Sequence, residues 1–146
     1  MPRLLLVNPS NERKGLGNTK ATSWPPLNLP YIAALTPNHY DIVLIDENVE
    51  PFKVQPADIV GITAYSSSVS RWYEIAQLYK SKSIPVVMGG IHVSMMPDEA
   101  LQYCTAVVIG EGESVWPKLL NDFESGCLKS KYHGQWQDLK HLPLPR

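Results

Sequence analysis

Four short stretches of this 146-residue sequence carry residue types better suited to holding a ligand than to filling a core. Asn8-Pro9 opens a stretch of roughly seventeen residues before Trp24-Pro25-Pro26-Leu27, longer than the ~2 to 6 residues of an ordinary strand-to-helix connection, and long loops at such places are usually functional. Thr63-Ala-Tyr65-Ser66-Ser67-Ser68 gathers hydroxyls around one aromatic ring. Gly89-Gly90-Ile-His92 pairs two glycines with a histidine, and Gly110-Glu111-Gly112-Glu113 alternates glycine with carboxylate. Glycines remove side chains where a backbone must approach something closely, and hydroxyls supply uncharged donors and acceptors. Together they suit a bulky, mostly neutral ligand. Each stretch also has a plainer reading: Gly89-Gly90 as a tight turn, the serines as helix caps, and Glu111 and Glu113 as favourable charge at a helix start.

Other chemistries fail on spacing. Gly15-Leu-Gly-Asn-Thr-Lys20 has neither the G-x-x-x-x-G-K-[ST] of a P-loop nor the third glycine of G-x-G-x-x-G. The histidines at 39, 92, 133 and 141 and the cysteines at 104 and 127 share no zinc-ligand spacing. Thirteen basic against 14 acidic residues leave a net charge of -1, which argues against a nucleic-acid wrapper or a polybasic membrane binder. No apolar run reaches the ~18 residues of a spanning helix. Two cysteines without C-x-x-C spacing fit a reducing compartment, so a cytoplasmic protein is expected.

The elements that must position these stretches are legible as apolar runs. Arg3–Asn8, Asp41–Asp46, Asp58–Thr63, Ile84–Met88 and Thr105–Ile109 are short, rich in β-branched residues and continuous rather than alternating, as strands buried on both faces must be. Between them lie helical stripes. Val69, Trp72, Tyr73, Ala76 and Tyr79 share one face, as do Val115, Trp116, Leu119, Leu120 and Phe123. A helix is expected near Trp24–Leu35 and a short one after Pro97, where proline suits the first turn and Asp98 and Glu99 suit the dipole. Glu47–Ala57 has room for little helix. This alternation predicts an α/β fold: a Rossmann-like, flavodoxin-like open parallel five-stranded sheet in the order 2-1-3-4-5, with helices on both faces. Ligands of such sheets bind beyond the carboxyl ends of the strands, where all four stretches fall. Residues 1–127 read as the domain. Residues 128–146 read as an edge segment, with Tyr132–Trp136 as one edge strand at most, followed by a proline-stiffened linker.

The leading Leu-Val-Asn-Pro, Pro25-Pro-Leu-Asn-Leu-Pro-Tyr-Ile-Ala-Ala34, Ile45-Asp46, Asp58-Ile-Val-Gly-Ile-Thr63, Met88-Gly-Gly-Ile-His92, Pro97-Asp-Glu-Ala-Leu101 and Val108-Ile-Gly-Glu-Gly-Glu113 occur in a fixed order. In this the chain resembles the N-terminal cobalamin-binding domain of B12-dependent radical SAM proteins. That family includes methyltransferases, ring-forming enzymes and the anaerobic magnesium-protoporphyrin IX monomethyl ester oxidative cyclase.

The resemblance implies a Rossmann-like module holding cobalamin. The wider class places D-x-H-x-x-G after strand one, S-x-L after strand three and a double glycine after strand four. Here Gly89-Gly90 matches and Thr63-Ala64-Tyr65 stands where S-x-L would, but no histidine precedes His39. Base-off cobalamin with no protein imidazole from that loop is therefore the expectation. On this reading Trp24, Pro25 and Leu27 border the corrin together with Gly110, Glu111 and Gly112. Thr63 and Ser67 hydrogen-bond the nucleotide tail, and Tyr65, Ser66 and His92 complete the rim. Gly89 and Gly90 make room for the benzimidazole, so valine at Gly90 is expected to block uptake without unfolding the sheet. The resemblance further implies a C-terminal radical SAM barrel of the same polypeptide, bearing a [4Fe-4S] cluster and S-adenosylmethionine. Two cysteines cannot supply the C-x-x-x-C-x-x-C of that cluster, so this chain alone is not the catalytic part. The alternatives are a cofactor-free flavodoxin-like interaction or receiver module and a family member that has lost cobalamin.

Overall fold

The computed structural model describes residues 1–10, 27–138, 140 and 142–145. Among them are strands β1 (Arg3–Asn8), β2 (Asp41–Asp46), β3 (Ile59–Thr63), β4 (Val86–Gly89), β5 (Ala106–Ile109) and β6 (Lys131–His133). The helices are α1 (Asn28–Leu35), α2 (Val69–Lys80), α3 (Ile91–Met95), α4 (Pro97–Ala100) and α5 (Trp116–Glu124). The strands form one sheet in the order β2-β1-β3-β4-β5-β6, all parallel. The Rossmann-like order predicted from the apolar runs is present, with one strand more than five. That strand, β6, falls at the start of the edge segment expected over Tyr132–Trp136; it is three residues long and buries only Tyr132. No helix links β2 to β3; instead Tyr79 ties the connection down by exchanging hydrogen bonds with the backbone of Gln55.

Successive residues of a strand point to opposite faces, and the two faces are packed by different helices. Leu5, Val7, Val60, Ile62, Val86, Met88 and Val107 meet Trp72, Ile75, Ala76 and Tyr79 of α2. Leu4, Leu6, Ile59, Val87, Ala106 and Val108 meet Leu29 and Ala33 of α1 and Trp116, Leu119 and Leu120 of α5. Trp116 locks the second layer, because its indole N–H donates to the buried Thr36 hydroxyl at 2.9 Å. Cys104 is buried under α4, and its thiol is pushed up to about 12, first by burial. It stays protonated and packs as a small apolar group. None of the described helices is long and apolar enough to cross a membrane.

Candidate functional site

The α1/α5 face is not filled along its whole length. Near the amino ends of the strands, Leu4, Ile59 and Ala106 are covered by the helices, but toward the carboxyl ends the sheet presents Gly61, Thr63 and Gly89. Register places Leu6, Gly61 and Val87 side by side, with Thr63 and Gly89 as the adjacent pair nearer the edge. Missing side chains in these two rows leave a cleft of about 390 Å³ between the sheet, α1 and α5. Its floor is Leu6, Gly61, Val87 and Val108, its walls are Leu29, Ile32 and Trp116, and its mouth opens at the carboxyl edge. Size and apolar lining are those of a small-molecule site.

Three loops shape the mouth. Gly90 sits at φ 110°, and a Cβ there would lie 2.8 Å from the carbonyl oxygen of Ala64. Glycine is required because the β4 loop presses on the backbone leaving β3, where the Ala64 N–H donates to the Gly89 carbonyl at 2.8 Å. Ser94 then joins two loops, its hydroxyl donating to the Gly90 carbonyl and accepting the Gly110 N–H, each at 3.0 Å. Asn28, the first residue of α1, reaches across the cleft and donates to the Thr63 hydroxyl at 2.6 Å. The other end of that amide, Oδ1, is buried with no partner among the described residues. An orphaned buried amide oxygen costs about 1–3 kcal/mol, so its place on a cleft wall marks it for a ligand.

Of the residues singled out in the sequence, Thr63, Gly89, Gly90, Gly110, Glu111 and Gly112 converge on this cleft. Leu27, Tyr65, Ser66, Ser67 and His92 are not on its walls, and Trp24 and Pro25 lie outside the described residues. Leu27 and Tyr65 are exposed beside it, at 61% and 41%. Tyr65 uses its carbonyl to accept the Trp72 indole N–H at 3.2 Å.

His92 stands off the walls of this cleft. One turn of α3 turns Ile91, Ser94 and Met95 toward the cleft, so His92 and Val93 face the α2 layer. The imidazole lies edge-on to Trp72 at 5.2 Å, with Nδ1 3.0 Å from the Ser66 hydroxyl and Nε2 3.9 Å from Glu99. Glu99 in turn accepts from the Tyr73 phenol, which burial and this carboxylate together hold well above its ordinary range. His92 therefore organises the far side of the β3 loop. His39 pairs with Glu124 before β2 begins, so no described histidine lines the cleft.

Gly61, Asn28, Ile32, Ser94, Met95 and Trp116 also belong to the cleft. A glycine inside an otherwise β-branched strand was the available signal for Gly61. Asp46 and Glu47, the acidic residues at the carboxyl end of β2, are spent on structure. Asp46 accepts from Asn8 at 2.9 Å, while Glu47 accepts the Ser10 N–H at 3.0 Å and pairs with Arg71 at 2.6 Å. Among the described residues no three His, Cys, Asp or Glu side chains gather as a metal site.

Comparison with known proteins gives this geometry its context. The family model described as B12 binding domain matches residues 13–120. The bacteriochlorophyllide d C-12(1)-methyltransferase of Chlorobaculum tepidum is 35% identical over 131 residues, covering 88% of this chain and 28% of that protein. The C-8(2)-methyltransferase of the same organism is 36% identical over 107 residues, covering 71% and 24%. An uncharacterized methyltransferase of Pyrococcus horikoshii is 34% identical over 139 residues, covering 85% and 30%. The chain thus spans under a third of each relative's length. With the parallel sheet, the cleft at its carboxyl edge and the family match in agreement, this chain belongs to the B12-binding domain family.

Proposed function

We propose that this chain holds base-off cobalamin, with the nucleotide tail in the α1/α5 cleft and the corrin over the carboxyl edge of the sheet. It would be the cofactor module of a larger B12-dependent radical SAM enzyme. The observation that carries the proposal is the cleft itself, which is apolar in depth and polar only at the mouth. Benzimidazole is about the size of an indole, and burying ~150–250 Å² of it at ~25 cal/mol/Å² contributes roughly 4–6 kcal/mol. Gly89 and Gly112 leave space, since Cβ atoms there would make only ordinary contacts of 3.7 Å with Val108 and 3.5 Å with Ile32, whereas Gly61 admits the Leu6 side chain, which a Cβ would meet at 2.9 Å. Asn28 and Thr63 meet the polar part of the tail, with Oδ1 as the unused acceptor and the Thr63 hydroxyl as donor. Ile91 and Met95, 69% and 74% exposed on α3, offer an apolar shelf for the corrin, joined by Leu27, Tyr65, Ser66 and Ser67 at the rim.

Bound cobalt would supply methyl-carrier or radical chemistry that no side chain offers. The chain's own task would be to bind the cofactor and orient it at the carboxyl edge of the sheet. Methyl transfer is favoured over cyclisation because all three relatives are named methyltransferases. Their greater length leaves room for the barrel, the [4Fe-4S] cluster and S-adenosylmethionine in the same polypeptide. A base-off state is supported by the depth of the apolar cleft, because a base seated on Leu6, Gly61 and Val87 is held away from the cobalt. A cytoplasmic setting is supported by two free thiols, Cys104 and Cys127.

Titration with hydroxocobalamin and methylcobalamin, then desalting and a visible spectrum, tests this. Stoichiometric retention with a base-off spectrum is expected, whereas a retained base-on spectrum would overturn the tail placement. Asn28→Ala should weaken retention by about tenfold, the loss of one or two hydrogen bonds of ~1 kcal/mol each. Calorimetry should show it folded and close to the parent in stability, because the lost hydrogen bond to Thr63 is offset by removal of the orphaned Oδ1.

A further inference from the structure

The tail cleft has a chemistry of its own, and cobamides differ in the base that would enter it. Some carry a benzimidazole, some a phenol and some a purine. We propose that this cleft selects cobamides with an apolar lower base and discriminates against purine ones, an inference that rests on the tail occupying the cleft.

The floor consists of Leu6, Gly61, Val87 and Val108, which carry no polar side-chain atoms. Their strands are each paired on both sides, so backbone N–H and C=O groups are consumed by the ladders. The one polar group on the deep wall, the Trp116 indole N–H, is committed to Thr36 at 2.9 Å. Ser94 is committed in both directions, to Gly90 and Gly110. Among the described side chains, the groups left all stand at the mouth: the Asn28 Oδ1 acceptor and the second N–H of its amide, the acceptor-only carboxylates of Glu111 and Glu113, and the proton of the Thr63 hydroxyl.

A site whose donors stand only at the mouth, above a floor that has none, suits some bases and not others. A phenol-type base brings no ring nitrogen. A benzimidazole off the cobalt brings one unprotonated nitrogen, which one donor at the mouth can serve. A purine brings further ring nitrogens, all acceptors, and an exocyclic amine. Asn28 can take the amine, but the extra nitrogens enter an apolar floor with no donor, and each unpaired buried acceptor is penalised. Discrimination of this kind comes from stranded polar atoms rather than from size.

The test is an equilibrium binding comparison on the whole chain with cobalamin, a cresolyl cobamide, an adeninyl cobamide and cobinamide, which has no nucleotide tail. The expected order is cobalamin and the cresolyl form together, and the adeninyl form at least tenfold weaker, equivalent to about 1.4 kcal/mol. Cobinamide should be weaker than cobalamin. Equal affinity for adeninyl cobamide and cobalamin, with cobinamide still weak, would overturn the selectivity while leaving the tail in its cleft. Cobinamide binding as well as cobalamin would overturn the tail placement and the selectivity with it. Failure of all four to bind would overturn the proposed function itself.

Discussion

Gly89→Val should abolish cobalamin retention while leaving a folded, cooperative protein. Gly89 closes β4 without a positive φ, and its Cβ would stand 3.7 Å from Val108, an ordinary contact. Valine is at home at a strand end, so the sheet loses little. The added methyls stand in the row of Thr63 and Val108, across the route from the mouth to the floor. Excluding the tail forfeits the roughly 4–6 kcal/mol of its burial, which is about a thousandfold or more in affinity. Retention after desalting, beside a melting curve, reads both halves. Near-normal retention in a folded Gly89→Val protein would remove the cleft from the binding account.

Gly90→Val should behave in the opposite way, failing in stability before it fails in binding. The backbone at φ 110° and a Cβ 2.8 Å from the Ala64 carbonyl oxygen and 3.1 Å from its nitrogen leave no room for any side chain. Strain at such a position costs about 1–3 kcal/mol, and the backbone contact adds to it. A melting midpoint lower by about 5–10 °C is expected at ~2–4 °C per kcal/mol. The two adjacent glycines thus do different work, one giving space and the other conformation. This moves the test of ligand space from Gly90, where sequence reasoning put it, to Gly89. A Gly90→Val protein as stable as the parent would contradict the close packing of these loops.

Sequence made the scaffold legible because a parallel sheet buried on both faces leaves no choice of pattern. Leu4–Val7 and Ile59–Ile62 must be apolar throughout, and Trp72, Ala76 and Tyr79 must recur at helical spacing. The carboxyl-edge rule then pointed to four loops, of which three are on the described cleft. What sequence left hidden was direction. His92 follows the double glycine as a site residue would, yet five residues of α3 are too few to show which neighbours face which way. Gly61 lies in a run of β-branched residues, and its meaning depends on which face it opens. Asn28 sits among apolar helix residues, and only the packed structure shows its amide half unpaired. The chain distance between Ser94 and Gly110 likewise conceals a single hydrogen bond.

The central claim is that the cofactor's tail enters between the sheet and α1/α5. Backbone and methyl NMR spectra of the labelled chain, recorded with and without hydroxocobalamin, address it most directly. The account predicts that the largest changes fall on Gly61, Val87, Gly89, Val108 and Ile32, with the Trp116 indole following, while Val60, Ile75 and Tyr79 on the α2 face stay near their free positions. Binding that shifts the exposed rim of Ile91 and Met95 but leaves Gly61 and Val87 unmoved would contradict it, because the cofactor would then rest on the edge without its tail inside.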